Sequence, residues 1–163
     1  MIEGLERWSD FNVAMVGATA ALAGLVIVAS SVNISEIVKA RSLTARLAAG
    51  IAALVLAIVG SGLGLVPDIS PAWFGILLAI AAAVAGVFQV QATRAIFADH
   101  DPAAQAKLVK SIFGFLPIAA YLAGAGSVGA GSPSGLFLVA AGCILAIVTG
   151  IVVSWVALVE VLR

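Results

Sequence analysis

From Ser111 to Val159 the chain carries no acidic, basic or histidine side chain. The interruption in that stretch is "GSPSG" (131–135), a run of Gly, Pro and Ser that reads as a turn between two apolar segments. A helix that is apolar all round has no face for water and belongs in hydrocarbon. Crossing a bilayer takes about 20 mostly apolar residues. By that measure the chain has five candidate spans, at 11–33, 46–66, 72–93, 108–130 and 135–161. Composition agrees: 63% of residues are hydrophobic, 10% are charged and the mean hydropathy is +1.23. Soluble domains carry roughly 25% charged residues, and a soluble protein of 163 residues has too little interior to hide this much apolar surface. The expected fold class is therefore all-α, a single transmembrane domain over 1–163 built as a bundle of five helices.

Charge placement tests the count. With five spans, the N-terminus, the "VPDISP" turn (66–71) and "GSPSG" share one side, which holds Arg7 alone among the basic residues. Lys39, Arg41, Arg46, Arg94, Lys107, Lys110 and Arg163 fall on the other, so seven of the eight basic residues share one face. The positive-inside rule makes that face cytoplasmic, which predicts an N-terminus outside and a C-terminus in the cytoplasm. Trp8 and Trp73 at the outer interface and Trp155 near the inner one fit aromatic belts. The opening "MIEGLERWSDFN" is acidic and lacks the basic n-region of a signal peptide, so the first apolar run reads as a retained helix. Ser70-Pro71 and Asp101-Pro102 each pair an N-cap residue with a first-turn proline, and Ser42 or Thr44 is placed to cap the second span.

Several function classes lose support. The formal net charge is zero and there is no long Lys/Arg run, so no nucleic-acid partner is expected. A lone Cys143 gives no redox pair, and a lone His100 gives neither paired haem ligands nor a metal site, so no cofactor or metal is expected. No lysine falls inside a hydrophobic run, Lys110 standing only in the first turn of the fourth span, which argues against a retinal Schiff base. No charge lies at the centre of any span, where ion-coupled transporters and proton relays place one. Phosphate-loop, HExxH and nucleophile–base constellations are missing as well, so an enzyme is not expected.

Helices in lipid associate mainly through close packing of small residues. Ala20 and Gly24, Gly60 and Gly64, and Ala125 and Gly129 are each four apart, and Gly142, Ala146, Gly150 and Ser154 form the longest such ladder. One neighbouring helix is expected along that ladder. Pro117, inside the fourth span, frees the carbonyl of Phe113 and should kink the helix. Thr19, Tyr121 and Thr149 are the mid-depth hydroxyls. The threonines are able to bond back to their own helices, whereas a buried phenol wants a partner, so a mid-membrane contact is expected at Tyr121. Toward the basic side, Ser31, Asn33, Arg46, Arg94 and Glu160 occur at similar depth and form a candidate polar cluster, together with Gln89 and Gln91. Glu160 either pairs with Arg46 or Arg94 across helices, or with Arg163 at i,i+3.

The segments "AALAGLVIVASSVNISEI" (20–37), "LTARL" (43–47), "LVP" (65–67) and "SWVALVEVLR" (154–163) resemble a family of small, uncharacterised multi-span bacterial membrane proteins, some labelled as modulators of a membrane protease. The resemblance covers the first and last helices and implies a bacterial cytoplasmic (inner) membrane location. It draws attention to Ser31, Asn33, Arg46 and Glu160 without assigning them a role. The expected function is a non-enzymatic accessory, scaffold or regulatory subunit. The expected partners are the lipid bilayer and either another membrane protein or a second copy, through helix–helix packing. The alternative is a small channel, a transporter or a protein that binds a lipid or other hydrophobic ligand.

Overall fold

A computed structural model describes residues 4–39, 41–98 and 104–161. After a 3₁₀ turn at Leu5–Trp8 come α1 (Ser9–Val32), α2 (Ile34–Lys39), α3 (Arg41–Leu63), α4 (Pro71–Ala98), α5 (Ala104–Gly129) and α6 (Gly135–Val161). Five helices are long and apolar enough to cross a membrane: Leu5–Val32, Arg41–Leu63, Pro71–Ala98, Lys107–Gly129 and Gly135–Val156.

The helix ends follow local chemistry. Asn33 (φ −113°, ψ 23°) stops α1, since its side chain competes with the helical backbone. Its carbonyl then accepts from Glu36 and Ile37 N–H, both at 3.1 Å, and restarts the chain as α2. That short helix was not expected from sequence. Ile37 holds it to the bundle at 3% exposure, and Lys39 bonds Glu36 at 2.7 Å on its solvent side. The second span starts at Arg41 rather than 46, so Ser42 and Thr44 lie inside α3 and do not cap it. Thr44 instead donates to the Ile37 carbonyl at 2.8 Å and ties α3 to α2. At α4 the Ser70 hydroxyl accepts from Trp73 N–H at 3.3 Å, with Pro71 opening the helix as expected. The helix runs on to Ala98 because Gln89, Gln91 and Arg94 are good helix formers despite their polarity. The Asp101-Pro102 cap lies outside the described residues. Gly131 (φ 83°) closes α5. Its N–H bonds the Val128 carbonyl at 2.8 Å, and Ser132 N–H bonds that of Ser127 at 2.9 Å. These two bonds are a Schellman motif, whose left-handed residue favours glycine.

Helices α3, α4, α5 and α6 form a ring in which each packs on the next and α6 returns to α3. Helix α1 lies outside the ring, mainly against α3 and to a lesser extent against α6. The core holds Leu56, Ala57, Phe74, Leu78, Ala82, Tyr121, Val128, Val139, Cys143 and Ala146, and a second cluster joins Ala23, Val26, Ile37, Leu43, Leu47 and Leu54 between α1, α2 and α3. The N-termini of α3 and α5 and the C-termini of α4 and α6 share one end, called here the basic end.

Small residues set the helix spacing, with different partners from those expected. A Cβ on Gly75 would lie 2.7 Å from the Ala125 carbonyl, so α4 and α5 touch backbone to backbone near Gly129. A Cβ on Gly124 would meet Val139 and the Gly135 carbonyl of α6. In the α6 ladder, Gly142, Ala146 and Gly150 are buried, but no single helix lies along them. Gly142 receives the Tyr121 ring from α5, and Gly150 receives Leu54 from α3. Ser154 is half-buried and returns its hydroxyl to the Gly150 carbonyl at 2.6 Å. The expected Ala20–Gly24 seam has no packing partner among the described residues: both residues are exposed and Gly24 faces open space. A ridge read from spacing alone does not show which side of its helix faces the ring.

Candidate functional site

The polar side chains inside the bundle fall into two layers. Away from the basic end, Thr19 is fully buried and donates to the Met15 carbonyl at 2.5 Å, the expected back-bond. Ser61 donates to Cys143 Sγ at 3.8 Å. Asn12 is 7% exposed and reaches over Gly64, where a Cβ would overlap its carboxamide. Asn12, Ser61, Gly60, Gly64 and Trp8 border a cavity of about 10 Å³, roughly the size of one water. Trp8 meets Phe11 and Phe137 edge-on at 5.6 and 5.0 Å and is half-buried, so it packs into the bundle end as well as marking it. Trp73 and Trp155 are exposed.

Tyr121 differs from expectation. Its ring is fully buried between Gly60 and Gly142, but its hydroxyl has no hydrogen-bond partner. The anticipated mid-membrane hydroxyl contact is not made. Gly60 and Gly142 both lie close against the ring, and Oη, beside the Cys143 thiol, makes no hydrogen bond of ordinary geometry.

The second layer lies toward the basic end and surrounds a cavity of about 320 Å³. Arg46, Ala49 and Gly50 of α3, Gln89, Ala92 and Ile96 of α4, Val109, Phe113 and Gly114 of α5, and Thr149, Val152, Val153 and Val156 of α6 line it. Gln89 (8% exposed), Ala92 (1%) and Thr149 (7%) form its floor. Val109, Phe113 and Val152 are each at least half exposed and form its rim. In a bundle that spans a bilayer, such a rim faces acyl chains, so the cavity opens sideways between α5 and α6.

The α5 sequence explains the opening. Beyond Pro117, toward the turn, Gly124 and Gly135 hold α5 tight to α6. On the other side of the proline, Val109 and Phe113 face Val152 and Val156 across the cavity. Pro117 has no N–H to give the Phe113 carbonyl, so the helix stays continuous through the proline while losing one rung. Gly114 makes room for Gln89, because a Cβ there would overlap the carboxamide. Among the described residues, neither the Gln89 carboxamide nor the Thr149 hydroxyl makes a hydrogen bond. Thr149 thus departs from the back-bonding expected of it.

Of the candidate polar cluster, Ser31, Asn33, Arg46 and Arg94 stand in separate places. Ser31 is exposed and bonds back to the Val28 carbonyl at 2.7 Å. Asn33 turns the chain between α1 and α2. Arg46 is half-buried beside the cavity, whereas Arg94 is exposed and borders a separate groove with Lys39, Arg41 and Gln91. Equal depth did not bring these groups together because they point from different sides of α3 and α4. The Glu160 side chain and Arg163 lie outside the described residues, as does any pairing between them.

Sequence reasoning missed three contacts. Thr93 and Ser111 share a 2.7 Å hydrogen bond that pins α4 to α5. Ser61 meets Cys143, and Gln89 nests on Gly114. A polar residue facing a glycine or a second hydroxyl on the next helix is the signal that could have found them, given the helix pairing. Comparison with protein-family models, curated proteins and solved structures finds no match to this chain.

Proposed function

We propose that the protein is a non-enzymatic membrane protein that binds a lipophilic molecule in the lateral cavity between α5 and α6. The cavity itself carries this reading. Its volume of about 320 Å³ is in the range of small-molecule sites, which span roughly 300–1,000 Å³ and combine apolar walls with a few polar groups. The small-residue seams of the ring are filled from within the chain, which favours ligand binding over the scaffold role for those seams. On this reading the basic end faces the cytoplasm, the N-terminus lies outside, and the bilayer is a bacterial cytoplasmic membrane. The charge sorting and the family resemblance support those placements.

The test is photolabelling of the purified protein in nanodiscs with a diazirine-bearing alkane. Labelling should concentrate on 109–113 and 152–156, and Val152→Trp, placed at the exposed rim, should block it. Uniform labelling of every lipid-facing helix, unchanged by Val152→Trp, would count against the proposal.

A second reading rests on α1. Its exposed face carries Gly17, Ala20 and Gly24, with open space at both glycines. A partner helix, from another copy or another membrane protein, fits such a face. Loss of an oligomer or partner in Gly17→Leu/Gly24→Leu, measured by mass in mild detergent, would support it. An unchanged mass would dismiss it.

A further inference from the structure

We infer that the cavity floor is a hydrogen-bonding subsite for a neutral lipophile that enters head first, with a hydroxyl or carbonyl on its polar end. This inference rests on the cavity being a lipophile site. Two polar side chains more than nine-tenths buried, Gln89 and Thr149, line the cavity floor and have no partner among the described residues. Buried polar groups in native proteins are overwhelmingly paired, and an unmet group deep in hydrocarbon is costlier still. The chain also spends a glycine here, since Gly114 is what lets the Gln89 carboxamide lie flat against α5. The Phe113 carbonyl, on a residue of the cavity rim, is left without its helical donor by Pro117. Together Gln89 and Thr149 offer the two N–H donors and one carbonyl acceptor of a carboxamide, and one hydroxyl.

Depth selects the ligand class. Thr149 lies near the middle of α6. Gln89 stands nine residues before the end of α4, about 13 Å in at 1.5 Å per residue. Arg46 is only five residues into α3, about 7.5 Å, so the cation borders the shallow part of the cavity. Among the described residues, no charged side chain belongs to a position at the level of Thr149. A phosphate or carboxylate at the floor would be a buried ion without a counter-charge, which is strongly unfavourable. A hydroxyl or carbonyl costs far less to take out of water than an ion does, and the waiting partners replace its water hydrogen bonds. The apolar tail then leaves through the Val109–Phe113–Val152 rim into the acyl chains. Long-chain alcohols, monoacylglycerols and carbonyl-bearing rings on isoprenoid tails share this chemistry.

Three diazirine probes of equal tail length separate the possibilities: an alkane, a primary alcohol and a phosphatidylglycerol, each in phosphatidylcholine nanodiscs with the full chain. The alcohol should label 109–113 and 152–156 about fivefold more than the alkane, as expected for one buried neutral hydrogen bond. Gln89→Leu/Thr149→Val should abolish that preference while alkane labelling persists. Because both side chains are unpaired, the double variant should melt no lower than the parent, which separates lost recognition from lost fold. Equal labelling by alcohol and alkane in the parent overturns the subsite, as does a preference that survives in the double variant. Strongest labelling by phosphatidylglycerol also overturns it and assigns the cavity to an anionic headgroup at Arg46. If no probe labels the cavity above the Val152→Trp background, the binding reading itself fails.

Discussion

At the scale of single residues, Tyr121 shows most clearly how packing overrides pairing. Gly60 and Gly142 exist as glycines around its ring, and a Cβ on Gly60 would stand 2.7 Å from Cε1. The ring is held closely by the two glycines, and the hydroxyl beside Cys143 makes no hydrogen bond. Leaving a buried polar group unmet costs about 1–3 kcal/mol, whereas removing it can be neutral or favourable. Tyr121→Phe is therefore expected to raise stability by about 1 kcal/mol, read as a higher melting temperature in detergent. A lower melting temperature would mean that the hydroxyl bonds to something, such as a water near Cys143. The depth of Tyr121 was legible in the sequence, as one phenol inside an apolar run. Its lack of a partner was not, because that depends on the rotation of three helices about their axes. Thr19 and Thr149 make the same point: the same residue type at similar depth back-bonds in one helix and faces a cavity in the other.

At the scale of elements, helix existence was legible and helix ends less so. The spans at 108–130 and 135–161 agree closely with Lys107–Gly129 and Gly135–Val161, because a Schellman glycine and a short polar turn bound them. The first and second spans shifted because α2 and the start of α3 are amphipathic rather than apolar, and a hydropathy ruler passes over them. Gly131 provides the test of a boundary argued from local chemistry. Its φ of 83° disfavours any Cβ, so Gly131→Ala should cost about 1 kcal/mol. The cost should appear in the thermal melt, without change in ligand labelling, since the turn is remote from the cavity. A variant as stable as the parent would show that the turn relaxes to another type. Pro117 was legible as a break in the hydrogen-bond ladder. That it divides α5 into a half packed on α6 and a half bordering a cavity required the neighbouring helix.

At the scale of the whole molecule, the lone thiol is a reporter of the fold. Cys143 is 1% exposed and sits within the core of the four-helix ring. A maleimide should leave it unlabelled in the folded protein and react as the bundle opens, so labelling against temperature should follow the unfolding transition. Ready labelling at low temperature would contradict the packing of α3, α5 and α6 around it. The same silence makes the parent chain a clean background for single cysteines placed at Asp68 and Ser42. An impermeant reagent applied to intact cells should reach the first and not the second if the basic end is cytoplasmic.

The sequence by itself determined that the chain is helical, that five segments are long and apolar enough to span a bilayer, and that the basic residues collect at one end. Those properties depend on local hydropathy, length and charge, which are sums along the chain. Tertiary structure decided which polar groups meet, which small residues are covered and where space is left. Arg46 and Arg94 share a depth yet serve different grooves, Gly24 faces open space while Gly150 takes Leu54, and Gln89 and Thr149 converge on one cavity from helices sixty residues apart in the chain. These outcomes depend on the azimuth of each helix in the ring. Since hydrocarbon surrounds every face of an apolar helix equally, no pattern along the sequence records that azimuth.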